Sequence, residues 1–335
     1  MNDIRWGILG AARIAETQVV PALKRGDGCQ VTAIASRDGA RARDFANRLG
    51  IATSFGRYEA LLECEEVDAV YIPLPNHLHV PWSIRALEHG KHVLCEKPIA
   101  MSGAEARLLQ DATRAHPTLR VMEGFMYRFH PQWDFVRRLL DEGAIGTLGL
   151  IEAFFSYHNE DAGNIRNHAE MGGGALMDIG CYGVSVARWL YGAEPVRVMG
   201  SVERDPRFGT DRLTTAILEF EDGMATVACA TQLAPSQRVH LVGTKGRIEI
   251  DLPFNGPLDL PRRVRHIRGG VVQEHVDEGA NQFVRMGERF AHAARHLAPV
   301  PTPLSDAVAN MDVIDAVLES ARENAWVSPC GQGAR

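Results

Sequence analysis

Three side chains stand out for the proton chemistry they could do together: Lys97, Asp178 and Tyr182. Lys97 follows the run His92-Val93-Leu94-Cys95-Glu96, which puts it at the carboxyl end of an apolar strand, where open α/β sheets bind ligands. A lysine on the lip of a cleft exchanges protons near neutrality once desolvation and neighbouring cations lower its pKa. The alternative is an ordinary surface lysine. Asp178 and Tyr182 lie in Gly172-Gly173-Gly174-Ala175-Leu176-Met177-Asp178-Ile179-Gly180-Cys181-Tyr182, four residues apart and so on one face of a helix. A phenol beside a lysine is a competent acid–base pair for a carbinol being oxidised, and a carboxylate can orient substrate or lysine. The same two residues also fit an aspartate favoured by the helix dipole and a core tyrosine. Spacing alone does not choose.

A second group of residues suits a dinucleotide. Trp6-Gly7-Ile8-Leu9-Gly10-Ala11-Ala12-Arg13-Ile14-Ala15 follows the first strand and opens a helix. Gly10 occupies the first glycine position of a dinucleotide fingerprint, Ala12 replaces the second and Ala15 takes the third. The chemistry requires a tight turn and then backbone close enough to donate N–H groups to a pyrophosphate, so Gly10, Ala12, Arg13 and Ile14 are candidate cofactor contacts. The second strand ends in Ser36-Arg37-Asp38. With no acid directly at its tip and an arginine able to grip a 2′-phosphate, NADP is expected, with NAD as the alternative if Asp38 takes the ribose. His77 and His79, two apart, are not expected to bind metal, since no carboxylate or cysteine accompanies them at ligand spacing.

The elements that must position these residues are legible in outline. Apolar runs Ile4–Leu9, Val31–Ala35, Val67–Ile72, His92–Cys95 and Leu119–Met122 read as strands buried on both faces. Helical stretches alternate with them, one ending at Gly90 and one over Gly103–Ala115. This is the pattern of a doubly wound parallel sheet, a Rossmann domain over residues 1–123. From residue 124 the pattern changes. Pro131 opens a helix with Trp133, Val136 and Leu140 on one stripe, closed by Gly143. Strand-like segments follow at Leu148–His158, Val196–Glu203, Leu213–Phe220, Met224–Gln232, Val239–Val242, Arg247–Leu252 and Val264–Ile267. Helices are expected over Ala175–Tyr191, Asn281–Leu297 and Asp306–Asn324. Residues 124–335 are therefore expected to form an α/β domain on a large open, mostly antiparallel sheet, with the last helix free to pack back on the first domain.

Composition narrows the function classes. The 335 residues are 45% hydrophobic and 23% charged, an ordinary globular balance. Lys and Arg number 36 against 42 Asp and Glu, a net charge of −6 without a basic run, so neither nucleic acid nor an anionic membrane is an expected partner. The long apolar stretch Gly172–Ala193 is broken by Asp178 and Arg188, which argues against a membrane span. Asp3 and Arg13 spoil a signal peptide. The cysteines Cys29, Cys64, Cys95, Cys181, Cys229 and Cys330 form no paired motif, which suits a reducing, cytoplasmic setting.

Taken in order, Gly10 to Ala15, Ser36-Arg37, Pro73-Leu74-Pro75-Asn76-His77-Leu78-His79, Glu96-Lys97-Pro98, Gly124 to Pro131 and Gly173 to Tyr182 resemble the glucose–fructose oxidoreductase/inositol dehydrogenase (Gfo/Idh/MocA) family over essentially the whole chain. The Pro-Leu-Pro-Asn-His and Met-Tyr-Arg-Phe-His-Pro segments are most similar to its NADP-linked D-xylose (aldose) 1-dehydrogenases and dimeric dihydrodiol dehydrogenases. The resemblance implies a Rossmann domain followed by an open-sheet domain whose outer face commonly forms an oligomer interface, hence a homodimer or homotetramer. It implies Lys97, Asp178 and Tyr182 in the catalytic cleft, Tyr182 standing where many relatives have histidine. By the same matching Leu74, Pro75, Asn76, His79, Glu96 and Lys97 contact cofactor, and Arg166 lies near the nicotinamide or substrate. The implied activity is hydride transfer between nicotinamide and a CH–OH/C=O carbon of a sugar, polyol or diol, with Lys97 and Tyr182 managing the proton. The rivals are an NAD-dependent glycosidase of the same fold and a non-catalytic NADP-sensing regulator, which would need no proton-transfer pair.

Overall fold

The computed structural model describes residues 3–329. The chain divides into two compact units, one made of the described residues up to Phe129 with Asn281–Val308, the other of His130–Ala280 with the described residues from Ala309 onward.

The first unit is built on strands β1 (Ile4–Leu9), β2 (Cys29–Ala35), β3 (Thr53–Phe55), β4 (Ala69–Ile72), β5 (His92–Cys95) and β6 (Val121–Glu123), all parallel, in the order β3-β2-β1-β4-β5-β6. The order reverses between β1 and β4, so the carboxyl ends of those two strands mark the crevice where a doubly wound sheet receives its ligand. Helices α1 (Val20–Arg25), α2 (Gly39–Leu49), α3 (Tyr58–Leu62), α4 (His79–Glu88) and α5 (Gly103–Ala115) make the crossovers. Their ends follow local chemistry. Ser102 Oγ accepts from the Glu105 N–H at 3.2 Å to start α5, and Gly90, at φ +72°, takes the chain out of α4. Trp6, Ile8, Leu9 and Ile34 are fully buried. Trp6 also meets Phe290 of α8 (Gln282–His296) at 5.3 Å between ring centroids.

In the second unit α6 (Pro131–Asp141) has Pro131 in its first turn. Strands β7 (Leu148–His158), β8 (Arg197–Arg204), β9 (Asp211–Phe220), β10 (Gly223–Ala230), β11 (Gln232–Gly243), β12 (Arg247–Ile250), β13 (Arg263–Arg268) and β14 (Val271–Val276) form one sheet in the order β14-β13-β12-β11-β7-β10-β9-β8. Every pairing is antiparallel except β7 with β10. The fold class expected from the sequence is the one observed. α7 (Cys181–Tyr191) lies flat on β10, because Gly180 and Gly183 leave no room for a side chain: a Cβ would stand 2.7 Å from Cys229 Sγ and 2.6 Å from Val227 Cγ1. α9 (Leu304–Glu323) closes the chain, and Gly200 on β8 lets the Val317 carbonyl approach.

Three differences from the sequence reading have physical causes. The run Met224–Gln232 is two strands, not one; β10 ends at Ala230 and β11 continues as a long strand whose register slips between Gln232 and Ser236. Pro235 sits in that slip, where a strand tolerates a residue without an N–H. β3, three residues long, and β14, whose residues are mostly exposed, carry too little apolar alternation to be seen locally. The helix expected over Ala175–Tyr191 begins with a π-helical turn, Leu176–Gly180. Cys330 lies outside the described residues.

Candidate active site

At the tip of β1 the Gly10 N–H donates to the Ala35 carbonyl at 2.9 Å, with φ at +120°. A Cβ on Gly10 would stand 2.8 Å from Leu74 Cδ2, so glycine alone turns the chain across the switch point. Ala12 is not among the residues of positive φ, and its methyl therefore costs no backbone strain. A helical run starts at Arg13, exposed, and Ile14, half-buried, and its next turn is π-helical over Ala15–Val19. The amides of this turn thus sit at a helix start, as a pyrophosphate requires.

Asp38 Oδ1 accepts from the Ala40 and Arg41 N–H groups at 2.8 and 3.2 Å, so that oxygen serves as the cap of α2. Ser36 is buried and its Oγ accepts from the Asp38 N–H, while Arg37 is exposed. Arg41, overlooked in the sequence, donates through Nη2 to the Ala11 carbonyl at 2.8 Å and clamps the fingerprint turn. Burial pushes the Tyr58 phenol up and the Arg37 and Arg41 guanidinium groups oppose that shift, which puts both cations beside one ring. The signal in the sequence was a second arginine four residues beyond Arg37, in the first turn of the next helix.

Beyond β4, Leu74 is buried, and Pro75 precedes a short 3₁₀ turn, Asn76–Leu78, with Asn76 half-buried. His79 is fully buried, with Nδ1 2.8 Å from the Pro98 carbonyl and Nε2 2.7 Å from the Leu74 carbonyl. Burial holds its pKa down, to about 4, against the two carbonyls, which favour the charged ring. The structure thus places His79 behind the surface, tying the segment after β4 to the segment after β5. Glu96 is also buried: Oε1 accepts from the Tyr71 hydroxyl at 2.6 Å and Oε2 from the Lys97 N–H at 3.4 Å. Lys97 itself is half-buried, and just beyond it Glu123 Oε1 accepts from the Ile99 N–H at 2.7 Å. The backbone on both sides of Lys97 is therefore anchored to carboxylates.

The remaining candidates belong to the second unit. Gly173 and Gly174 allow tight approaches; a Cβ on Gly173 would stand 2.4 Å from the Arg166 carbonyl. Asp211 Oδ2 accepts from the Leu176 N–H at 2.7 Å and from the Thr214 hydroxyl at 2.8 Å, capping the helix from a neighbouring strand. Burial raises the Asp211 pKa. Within the π turn, Asp178 is 9% exposed, and its Oδ2 takes two donors, Arg166 Nε at 2.8 Å and the Tyr157 hydroxyl at 2.6 Å. Tyr182 is 2% exposed; its ring lies 5.8 Å from that of Phe155 and 5.2 Å from that of Phe254. Asp178 chiefly raises the Arg166 pKa, keeping that guanidinium charged, and Tyr182 adds to the effect. So Asp178, Arg166 and Tyr182 share one cluster, whereas Lys97 belongs to the first unit. Tyr157, Phe254 and Asp211 were missed by the sequence reading. Tyr157 alone had a local signal, as a polar-tipped aromatic at the end of a strand.

Compared with known proteins, residues 4–125 match the oxidoreductase family with an NAD-binding Rossmann fold, and residues 133–249 match the GFO/IDH/MocA C-terminal domain. An uncharacterized oxidoreductase of Rhizobium meliloti is 42% identical, covering 97% of this chain and 99% of its own. The chain belongs to the Gfo/Idh/MocA oxidoreductase family. Within the family, D-xylose 1-dehydrogenase (NADP⁺) 2 of Haloferax volcanii is 36% identical over 96% of this chain and 98% of its own. A 3-ketoreductase from Actinomadura kijaniata, solved with NADP and TDP-benzene, superposes with a TM-score of 0.91 at 34% identity, covering 95% of this chain and 98% of its own. That ketoreductase has also been solved with one tyrosine replaced by phenylalanine and with one lysine replaced by alanine. Family membership makes the protein an oxidoreductase with a nicotinamide-dinucleotide site in its first unit, and the Gly10 turn and the Ser36-Arg37-Arg41 corner suit such a cofactor.

Proposed function

We propose that the protein is an NADP-dependent dehydrogenase or reductase acting on a CH–OH/C=O carbon of a sugar, polyol or diol. The observation that carries this reading is the Asp178 cluster. A carboxylate and a buried phenol on one helix start meet a guanidinium from the preceding loop, and a family relative of sugar-dehydrogenase type matches nearly the whole chain. Gly10, Ala12, Arg13 and Ile14 would hold the pyrophosphate; Ser36, Arg37 and Arg41 the 2′-phosphate; Leu74, Pro75, Asn76 and Glu96 the nicotinamide end, with His79 fixing their backbone. When bound, the nicotinamide supplies or takes up a hydride. Tyr182 and Lys97 together exchange a proton with the carbinol oxygen, and Asp178 with Arg166 orients the neighbouring polar groups of the substrate.

The test is steady-state kinetics of Lys97→Met, Tyr182→Phe and the double variant on a panel of aldoses, inositols and diols. Each single change is expected to lower turnover by about 10²–10⁴, the scale of a positioned acid or base. The double variant should lose little more, since residues acting as one unit are non-additive. NADP binding followed by fluorescence should persist. Near-normal turnover in Lys97→Met would overturn the assignment.

Two coarser features of the reading go with it. Cys29, Cys64, Cys95, Cys181 and Cys229 are free thiols, which suits the cytoplasm. Among the described residues no helix is long and apolar enough to cross a membrane. The face of the second sheet opposite α7 exposes Thr215, Ile217 and Met224 and carries ion pairs such as Arg265–Asp251 at 2.7 Å. That mixture suits a self-complementary contact in a homodimer or homotetramer.

A further inference from the structure

β7 and the helix that carries the candidate residues are in register. Two steps along a strand keep the same face and advance about 6.6 Å, close to one turn of a helix. Phe155 and Tyr157 are two apart on β7, and Asp178 and Tyr182 are four apart on the helix. Phe155 meets the Tyr182 ring at 5.8 Å, and the Tyr157 hydroxyl meets Asp178 Oδ2 at 2.6 Å. One strand face thus supports both members of the helix pair.

The two donors on Asp178 Oδ2 differ in what holds them. Arg166 comes from the loop between β7 and the helix, and its side chain is 44% exposed. Tyr157 stands near the end of β7, between Ser156, which pairs with Ala230 of β10 and Ser236 of β11, and His158, which pairs with Gln232 of β11. Burial, with Asp178 beside it, raises the Tyr157 phenol, so it keeps its proton and remains a donor. A strand-borne donor and a loop-borne cation therefore share one carboxylate oxygen.

We propose that Tyr157 is a positioning residue for the reaction: its hydroxyl, fixed by β7, sets the orientation of the Asp178 carboxylate and through it that of Arg166. Substrate binding can then draw on Arg166 without letting Asp178 rotate away. The proposal rests on the reading of Asp178 as part of the active site.

A double-mutant cycle between Tyr157→Phe and Asp178→Ala tests it, with kcat, KM, NADP binding and thermal unfolding measured for each form. Tyr157→Phe removes one hydroxyl that donates to a carboxylate, so kcat with substrate is expected to fall about ten- to hundredfold. NADP affinity should be unchanged, and thermal unfolding should show a folded protein. In the Asp178→Ala background the same change should cost less than about twofold, since a residue acting through another has nothing left to act on. Wild-type kcat in Tyr157→Phe while Asp178→Ala is impaired would overturn the proposal and leave the active-site reading standing. An equal loss in both backgrounds would also overturn it, because Tyr157 would then act independently of Asp178. Wild-type kcat in Asp178→Ala would overturn the active-site reading and the proposal with it.

Discussion

Replacing Arg37 with alanine is expected to separate NADP from NAD. Arg37 is exposed at the end of β2, beside buried Ser36, and Asp38 Oδ1 is engaged in capping α2. The Asp38 carboxylate thus turns one oxygen to the α2 amides, and Arg37 is the cation beside Ser36 that can meet a 2′-phosphate. In water-like surroundings two unit charges about 4 Å apart attract by about 1 kcal/mol, and a phosphate carrying about −1.5 to −2 charge scales this up. A charge-assisted hydrogen bond is worth about 1.5–3 kcal/mol, so for an exposed guanidinium the whole contribution stays near the lower half of that range. At 1.4 kcal/mol per tenfold, kcat/KM for NADP should fall roughly ten- to fiftyfold. With NAD, which has no 2′-phosphate, it should stay within about twofold. Arg41→Ala should weaken both cofactors, because its Nη2 also holds the Ala11 carbonyl of the fingerprint turn. The assay is initial-rate kinetics with each cofactor at several salt concentrations. The NADP preference should shrink with salt, since exposed charges are screened over about 8 Å at 0.15 M ionic strength. An equal loss with both cofactors in Arg37→Ala, or equal use of both by the unaltered protein, would refute the reasoning.

Gly10→Ala should weaken binding of either cofactor by tenfold or more, because φ is +120° and the added methyl meets Leu74, strain worth about 1–3 kcal/mol; fluorescence titration with NADP is the check, and an unchanged dissociation constant would contradict the turn assignment. His79 should make the protein acid-labile. Its pKa is lowered in the fold from 6.5 to about 4, so below about pH 6.5 the unfolded chain takes up a proton that the folded one refuses. Stability should fall between about pH 6.5 and 4, by about 3 kcal/mol from this residue, and no further below that window; His79→Gln, less stable at neutral pH, should show a flatter dependence in thermal unfolding. Light scattering should return at least twice the 36.8 kDa chain mass at micromolar concentration, and a monomer mass would refute the proposed assembly.

Much of the architecture is legible in local pattern. β1 and β5 span the residues that apolar runs predict, and α5 covers Gly103–Ala115 as the helical stretch predicts. Gly10, Lys97 and the Asp178–Tyr182 pair could be picked out because strand ends and glycine-rich turns are written in a few neighbouring residues. Such signals need no knowledge of distant partners.

What the tertiary structure alone decided is which groups meet. Asp178 is oriented by Tyr157, twenty-one residues earlier, and the Tyr182 ring packs on Phe254, far along the chain. Phe254 reaches that ring because Gln237 Oε1 accepts its N–H at 3.0 Å and Trp133 Nε1 donates to the Pro253 carbonyl at 3.0 Å. His79 carried a local motif that resemblance links to the cofactor, and only the fold shows its ring tying the Leu74 and Pro98 carbonyls in the interior. The helix start likewise departs from α-helical spacing, with Asp211 of β9 capping it and Gly180 pressed on Cys229. Periodicity tells which face of a strand or helix is apolar. Sheet order and register decide what that face touches, and they arise from burial summed over the whole fold, a quantity no short window of sequence contains.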